Sequence, residues 1–163
     1  MGKAFDNWDD LEKYLKKTID NILENEMAKQ VKDEMQTAIS DVVYDAGTPK
    51  KYVRRGNNEF GRMGNTDGTG SLADKREMPH TVKDGLLEVA NDAERNKKYD
   101  FAGKGYDTSK SLAENIISGY GDRDDWYNEP RDFIGETVKN IKSSKSHIKV
   151  MKEALIDKGF NVL

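Results

Sequence analysis

Eleven apolar side chains form a single row along the first 45 residues: Trp8, Leu11, Leu15, Ile19, Ile22, Leu23, Met27, Val31, Met35, Ile39 and Val42. Their steps of three and four lay them on one face of an amphipathic helix. The segment has no proline, and no glycine after Gly2, so nothing in it forces a break. Asp6 or Asn7 can cap the start, and Asp9, Asp10 and Glu12 stand where the positive end of the helix dipole favours acids. The pattern predicts one helix of about ten turns, or two helices broken near Asn25, stopped at Ala46-Gly47-Thr48-Pro49. A stripe this long must be buried against the rest of the chain.

The rest of the chain has few apolar residues to offer. Of 163 residues, 35% are hydrophobic and 35% charged, against a usual charged fraction near a quarter. Lys and Arg total 27 and Asp and Glu 30, a net charge of -3. That balance argues against bulk electrostatic capture of nucleic acid or anionic membrane, which needs a clear positive excess. The chain has no cysteine, which excludes disulfides, thiolate chemistry and cysteine-based zinc sites. No apolar run approaches the ~18 residues of a membrane span, and the N-terminal stretch lacks the apolar core of a secretory signal.

The length predicts a single domain over 1–163. Its parts are an N-terminal helix or helix pair (1–45), a long loop (46–80), a hairpin, short helix and aromatic loop (81–129), and a C-terminal helix and tail (130–163). Residues 56–70 carry five glycines in fifteen and almost nothing to bury, a loop by composition. Residues 71–80 extend it, with Pro79 as a late breaker. Asp84-Gly85 is a favoured hairpin turn pair, with Leu87 and Val89 alternating against Glu88 and Ala90. Ser111–Ser118 predicts a short helix, with Ser109 or Ser111 as cap and Glu114 as its box partner. Pro130 suits the first turn of a last helix, whose stripe is Ile134, Val138, Ile141, Ile148, Met151 and Leu155, closing on Lys158 and Gly159. Phe160–Leu163 could add an edge strand. The expected fold class is α+β, with long N-terminal and C-terminal helices packed on a small antiparallel sheet and a long Gly-rich loop.

Candidate chemistry is thin. His80 and His147 are far apart and lack metal-binding spacing. Asn65–Gly70 resembles part of a calcium loop, but Met63 falls on the first ligand position and Asp74 on the bidentate glutamate position. Gly103-Lys104-Gly105 puts a glycine where a phosphate loop needs Ser or Thr. Asp122, Asp124, Asp125 and Glu129 could hold a hard cation or serve a nuclease, but they surround Tyr120, Trp126 and Tyr127 and read better as a solvated interaction loop. Charge is divided along the chain. The first 45 residues hold eleven acids and six lysines, whereas Lys139, Lys142, Lys145, Lys149, Lys152 and Lys158 crowd the last helix beside Glu153 and Asp157. Pro49–Arg55 adds four positive charges around Tyr52. Opposite-sign faces suit assembly of like with like, and head-to-tail contacts close into rings.

Several segments in order, none specific alone, carry a family resemblance. They are Val42-Val43-Tyr44-Asp45, Pro49-Lys50 with Tyr52-Val53-Arg54-Arg55, Leu86-Leu87-Glu88-Val89, Ile116–Gly121, Trp126-Tyr127, and Pro130-Arg131-Asp132-Phe133-Ile134 leading to a Lys-rich helix ending Lys158-Gly159-Phe160. Together they resemble the minor structural proteins of tailed bacteriophages, the neck, tail-completion, head–tail joining or minor capsid group. Asp132 departs from the family's Pro-Arg-Pro-Phe. The resemblance implies a non-enzymatic virion protein without cofactor or metal. It would form a homo-oligomeric ring, six- or twelve-fold, at the neck or tail top and join portal or head-connector to tail proteins, with no membrane and no sequence-specific nucleic acid partner. It would reside in the virion, and in host cytoplasm during assembly. Tyr52, Arg54 and Arg55 would face an interface. Trp126, Tyr127 and Arg131 would anchor the second loop and last helix against the domain or a neighbour, with Phe133 in the core. The alternative is a small metal-dependent nucleic-acid enzyme or DNA-binding protein of phage origin, using Pro49–Arg55 and the Asp122–Glu129 acids. A regulatory protein whose first helix pairs with a partner's is a third reading.

Overall fold

The computed structural model describes residues 5, 7–45, 57–58, 61–62, 71–93, 111–119 and 129–162. The apolar row becomes one uninterrupted helical rod. Asn7 caps it, its Oδ1 accepting from the Asp10 N–H at 2.9 Å. Helix α1 (Trp8–Ile22) runs through a π-turn (Leu23–Met27) into α2 (Ala28–Ile39) and a second π-turn (Ser40–Tyr44). The rod is therefore continuous, and the region near Asn25 is a widening and not a break. Spacing supplies the reason. Leu23, Met27, Val31, Met35 and Ile39 are four apart, so on a 3.6-residue helix each step drifts the stripe by about 40°. A turn with i→i+5 bonding takes up an extra residue and brings the stripe back. The second widening also moves burial from the expected Val42 to Val43, which is 1% exposed while Val42 is half-buried.

Two antiparallel pairs follow. Strand β1 (Asn57–Asn58) pairs with β2 (Gly61–Arg62), inside the segment that composition assigns to loop. Strands β3 (His80–Lys83) and β4 (Leu86–Val89) form the expected hairpin, with Lys83 opposite Leu86. Asp84 (φ 52°) and Gly85 (φ 76°) are both left-handed, the turn that matches strand twist. Residues 71–78 do not run over the surface as expected. Leu72, Ala73 and Met78 are buried, and a 3-10 turn at Lys75–Glu77 is capped by Asp74. This segment is tied to the rod by Gln36 Nε2 donating to the Ala73 carbonyl at 2.9 Å.

Helix α3 (Leu112–Ser118) has the complete capping box, Ser111 with Glu114, and ends on left-handed Gly119 (φ 69°). Helix α4 (Phe133–Ser144) begins three residues after Pro130. Asp132 caps it, accepting from the Gly135 N–H at 2.7 Å, and the Arg131 N–H is drawn away to the Ile116 carbonyl at 3.1 Å. The acid standing where the resembled family has proline is thus the cap. The expected last helix is two helices: Lys145 is left-handed (φ 52°, ψ 23°) and separates α4 from α5 (Ser146–Asp157). Gly159 (φ 88°) turns the end as expected. Phe160 adds no strand and instead stacks on Tyr14, ring centroids 6.0 Å apart.

The fold class is α+β, with long helices at both ends and a small antiparallel sheet. Among the described residues, two clusters of buried side chains share the rod. One joins Met35, Ile39 and Val43 to Leu72, Met78, Ile116 and Phe133. The other joins Ile22, Leu23 and Met27 to Ala154, with Val82, Leu87, Val150, Met151 and Leu155 packed against it.

Candidate assembly interface

Arg131 is the described member of the expected interface set, and it faces inward. It is 8% exposed, and its guanidinium donates to the Val43 carbonyl at 2.8 Å. It therefore ties the end of the rod to the start of α4, an anchor within the domain. Phe133, next but one, has no exposed surface. Tyr52, Arg54, Arg55, Trp126 and Tyr127 lie outside the described residues, as do Asn65–Gly70, Gly103-Lys104-Gly105, Asp122, Asp124 and Asp125.

The two histidines occupy separate places. His80 Nε2 lies 3.1 Å from the Glu24 carbonyl and 3.4 Å from its carboxylate. His147 Nδ1 lies 3.2 Å from the Ile141 carbonyl, part-buried across the α4–α5 break. Among the described residues no group of three or more His, Asp or Glu side chains could hold a metal, and no described helix is long and apolar enough to cross a membrane.

Among the described carboxylates, Asp74 is the one clearly shifted by its surroundings, and it has no exposed surface. Burial pushes its pKa up, but Arg76 outweighs that and holds it below its ordinary value. Arg76 donates from Nε at 2.9 and 3.1 Å, from a terminal nitrogen at 2.5 Å, and from its backbone N–H at 3.0 Å. The geometry of this pair is that of a structural latch for residues 71–78.

What the described surface offers is apolar side chains in charged surroundings. Trp8 is 82% exposed, Leu86 69%, Ile156 54%, Ile148 47% and Val138 45%. Trp8 belongs to the same row as Ile22, but packing near the rod's start gathers on Tyr14, whose ring meets Phe5 and Phe160, and leaves Trp8 exposed. The sequence pattern counted it as core because a stripe does not reveal where the core ends. The stripe of the last helix likewise places Val138 and Ile148 toward the core, and both are exposed. Val150, Met151, Ala154 and Leu155 of α5 pack inward, whereas Ile148, in the first turn after the break at Lys145, is exposed. Ser143, Ser144 and Ser146 around Lys145 were the available signal, a local cluster of turn-forming residues inside a helical pattern.

An open groove of about 460 Å³ sits at that break, lined by Ser144, Lys145, Ile148, Lys149, Lys152 and Glu153. Its walls are the Ile148 side chain and lysine stems, whose carbon chains can cover apolar surface while their charges stay in water. Lys149 and Glu153 are 3.9 Å apart, a loose exposed pair of little energetic weight. At the rod's other end Asp9, Asp10 and Glu12 are all exposed around Trp8. Positive charge and an isoleucine thus mark one region, and negative charge and a tryptophan another.

Comparison with known proteins gives one family: the model described as YomN matches residues 7–157. No curated relative and no solved structure matches the chain.

Proposed function

The chain belongs to the YomN family, a membership that suggests a phage-encoded protein, and from that premise we propose that it is a structural virion component and not an enzyme. In this reading it assembles as a homo-oligomeric ring of six or twelve copies at the neck, the head–tail junction or the tail top. There it joins the portal or head connector to tail proteins. Tyr52, Arg54, Arg55, Trp126 and Tyr127 supply contacts to these neighbours, and Arg131 supports them from within the domain. The observation that carries the reading is the set of exposed large apolar residues on faces of opposite charge, Trp8 among acids and Ile148 among lysines. Interfaces favour aromatic and apolar anchors at their centre, and complementary charge sets partner and register.

The test is assembly of the purified chain, alone and with its head connector, followed by light scattering and electron microscopy. Rings or connector-bound rings are expected. A chain that stays monomeric, ignores the connector, and cuts or shifts DNA with a steep salt dependence would overturn the reading in favour of a nucleic-acid role.

A further inference from the structure

The two charged apolar regions lie at opposite ends of one helical layer. Phe160, just past the end of α5, stacks on Tyr14, while Val150 and Met151, nearer the start of α5, belong to the cluster built on Ile22, Leu23 and Met27. Helix α5 therefore runs antiparallel to the rod, with its groove toward Met27 and its far end short of Trp8. Trp8 to Met27 spans nineteen residues, roughly 28 Å at 1.5 Å per residue. The tryptophan cannot reach the groove of its own chain.

Resting on the assembly reading above, we propose that the groove at Lys145, Ile148 and Lys149 receives Trp8 of a second copy, joining copies head to tail. The indole ring lies over Ile148 and the lysine stems. Glu12, one turn along the same face as Trp8, and Asp9 beside it meet Lys145 and Lys149. The site is shallow and open, so the ring lies across Ile148 and the lysine stems and not inside a cavity, and a buried tryptophan contributes a large apolar area. Because donor and acceptor surfaces differ, the contact is heterologous and each copy offers one of each, the arrangement that propagates copy to copy and makes a ring where its rotation closes.

The absence of native cysteine makes the test specific. In the full chain carrying Trp8→Cys and Ile148→Cys, oxidation is expected to give a ladder of covalent multimers beyond the dimer. Each single variant can give dimers at most, and the pair within one chain is far beyond disulfide reach. Charge reversal supplies a second arm with Trp8 intact. Lys149→Glu and Glu12→Lys should each need at least tenfold more protein to assemble, and a one-to-one mixture should recover wild-type assembly. Both positions are exposed, so circular dichroism should be unchanged. Wild type that assembles while the cysteine pair gives no ladder and the reversals have no effect would overturn this joint and leave the ring reading standing. Wild type that stays monomeric with and without the connector would overturn both.

Discussion

Asp74 is a carboxylate with no contact with solvent, and one arginine two residues away satisfies it. Its pKa is lowered in the folded chain, so its contribution to stability is fully present above the ordinary value of 3.8 and is lost as pH falls through the lower folded value. Asp74→Ala removes the carboxylate that Arg76 grips and the cap of the 3-10 turn. A loss of about 2–3 kcal/mol is expected in urea unfolding at pH 7. Part of the wild type's acid sensitivity below pH 3.8 should vanish in the variant. An equal loss at pH 7 and pH 2.5 would show that the charge is not what Asp74 contributes. None of this was legible beforehand, because Asp74 sat inside a stretch whose glycines and polar residues read as loop. The buried Leu72, Ala73 and Met78 around it were the overlooked signal: short apolar residues without periodicity, which no helix or strand template detects.

Caps and turns were the elements most legible in the sequence. Asn7, the Ser111–Glu114 box, the Asp84-Gly85 turn and Gly159 each act through a local hydrogen bond or a left-handed backbone angle, and local chemistry is written in adjacent residues. Phase was not legible. The four-residue spacing along the rod is compatible with drift, with a break or with widening, and packing against the β3–β4 hairpin and α5 decides for the π-turn. At Lys145 the reverse holds: a continuous pattern conceals a left-handed residue. That conformation costs an L-residue roughly 1–2 kcal/mol and glycine far less. Lys145→Gly should therefore raise stability by about 1 kcal/mol in denaturant titrations with helix content unchanged. Lys145→Pro should lower it, since the fixed negative φ of proline excludes the bend. Of the candidate interface, Arg131 and Phe133 stand out only through the family resemblance, which puts Phe133 in the core and leaves open whether Arg131 anchors within the domain or on a neighbour. Trp8 and Ile148 do not stand out, because membership of a stripe and burial are separate facts.

At the scale of the molecule, one rod threads two cores, with Ile22, Leu23 and Met27 in one and Met35, Ile39 and Val43 in the other. A helix that short of interruptions couples what it passes through. Phe133→Ala, in the core farther from α5, should cost about 3–5 kcal/mol. It should also lower amide exchange protection at Ile22–Met27, although Phe133 belongs to the other cluster. Protection lost only around Ile39 and Ile116 would mean that the cores open independently. The overall charge of -3 divides between the first 45 residues, with eleven acids and six lysines, and the lysine-rich α4–α5 segment. A molecule of modest net charge can thus carry strong local fields of both signs.

The rod also fixes how a pull across the molecule would be borne. Tension applied between Trp8 and Tyr44 runs along a backbone whose hydrogen bonds lie parallel to the load, while the two clusters grip it at separate points. Such a beam with two bearings yields first at its wider turns, where each loop of bonding encloses an extra residue. Leu23 and Met27 are themselves side chains of one bearing, so lengthening there would loosen that grip while Met35, Ile39 and Val43 hold the other.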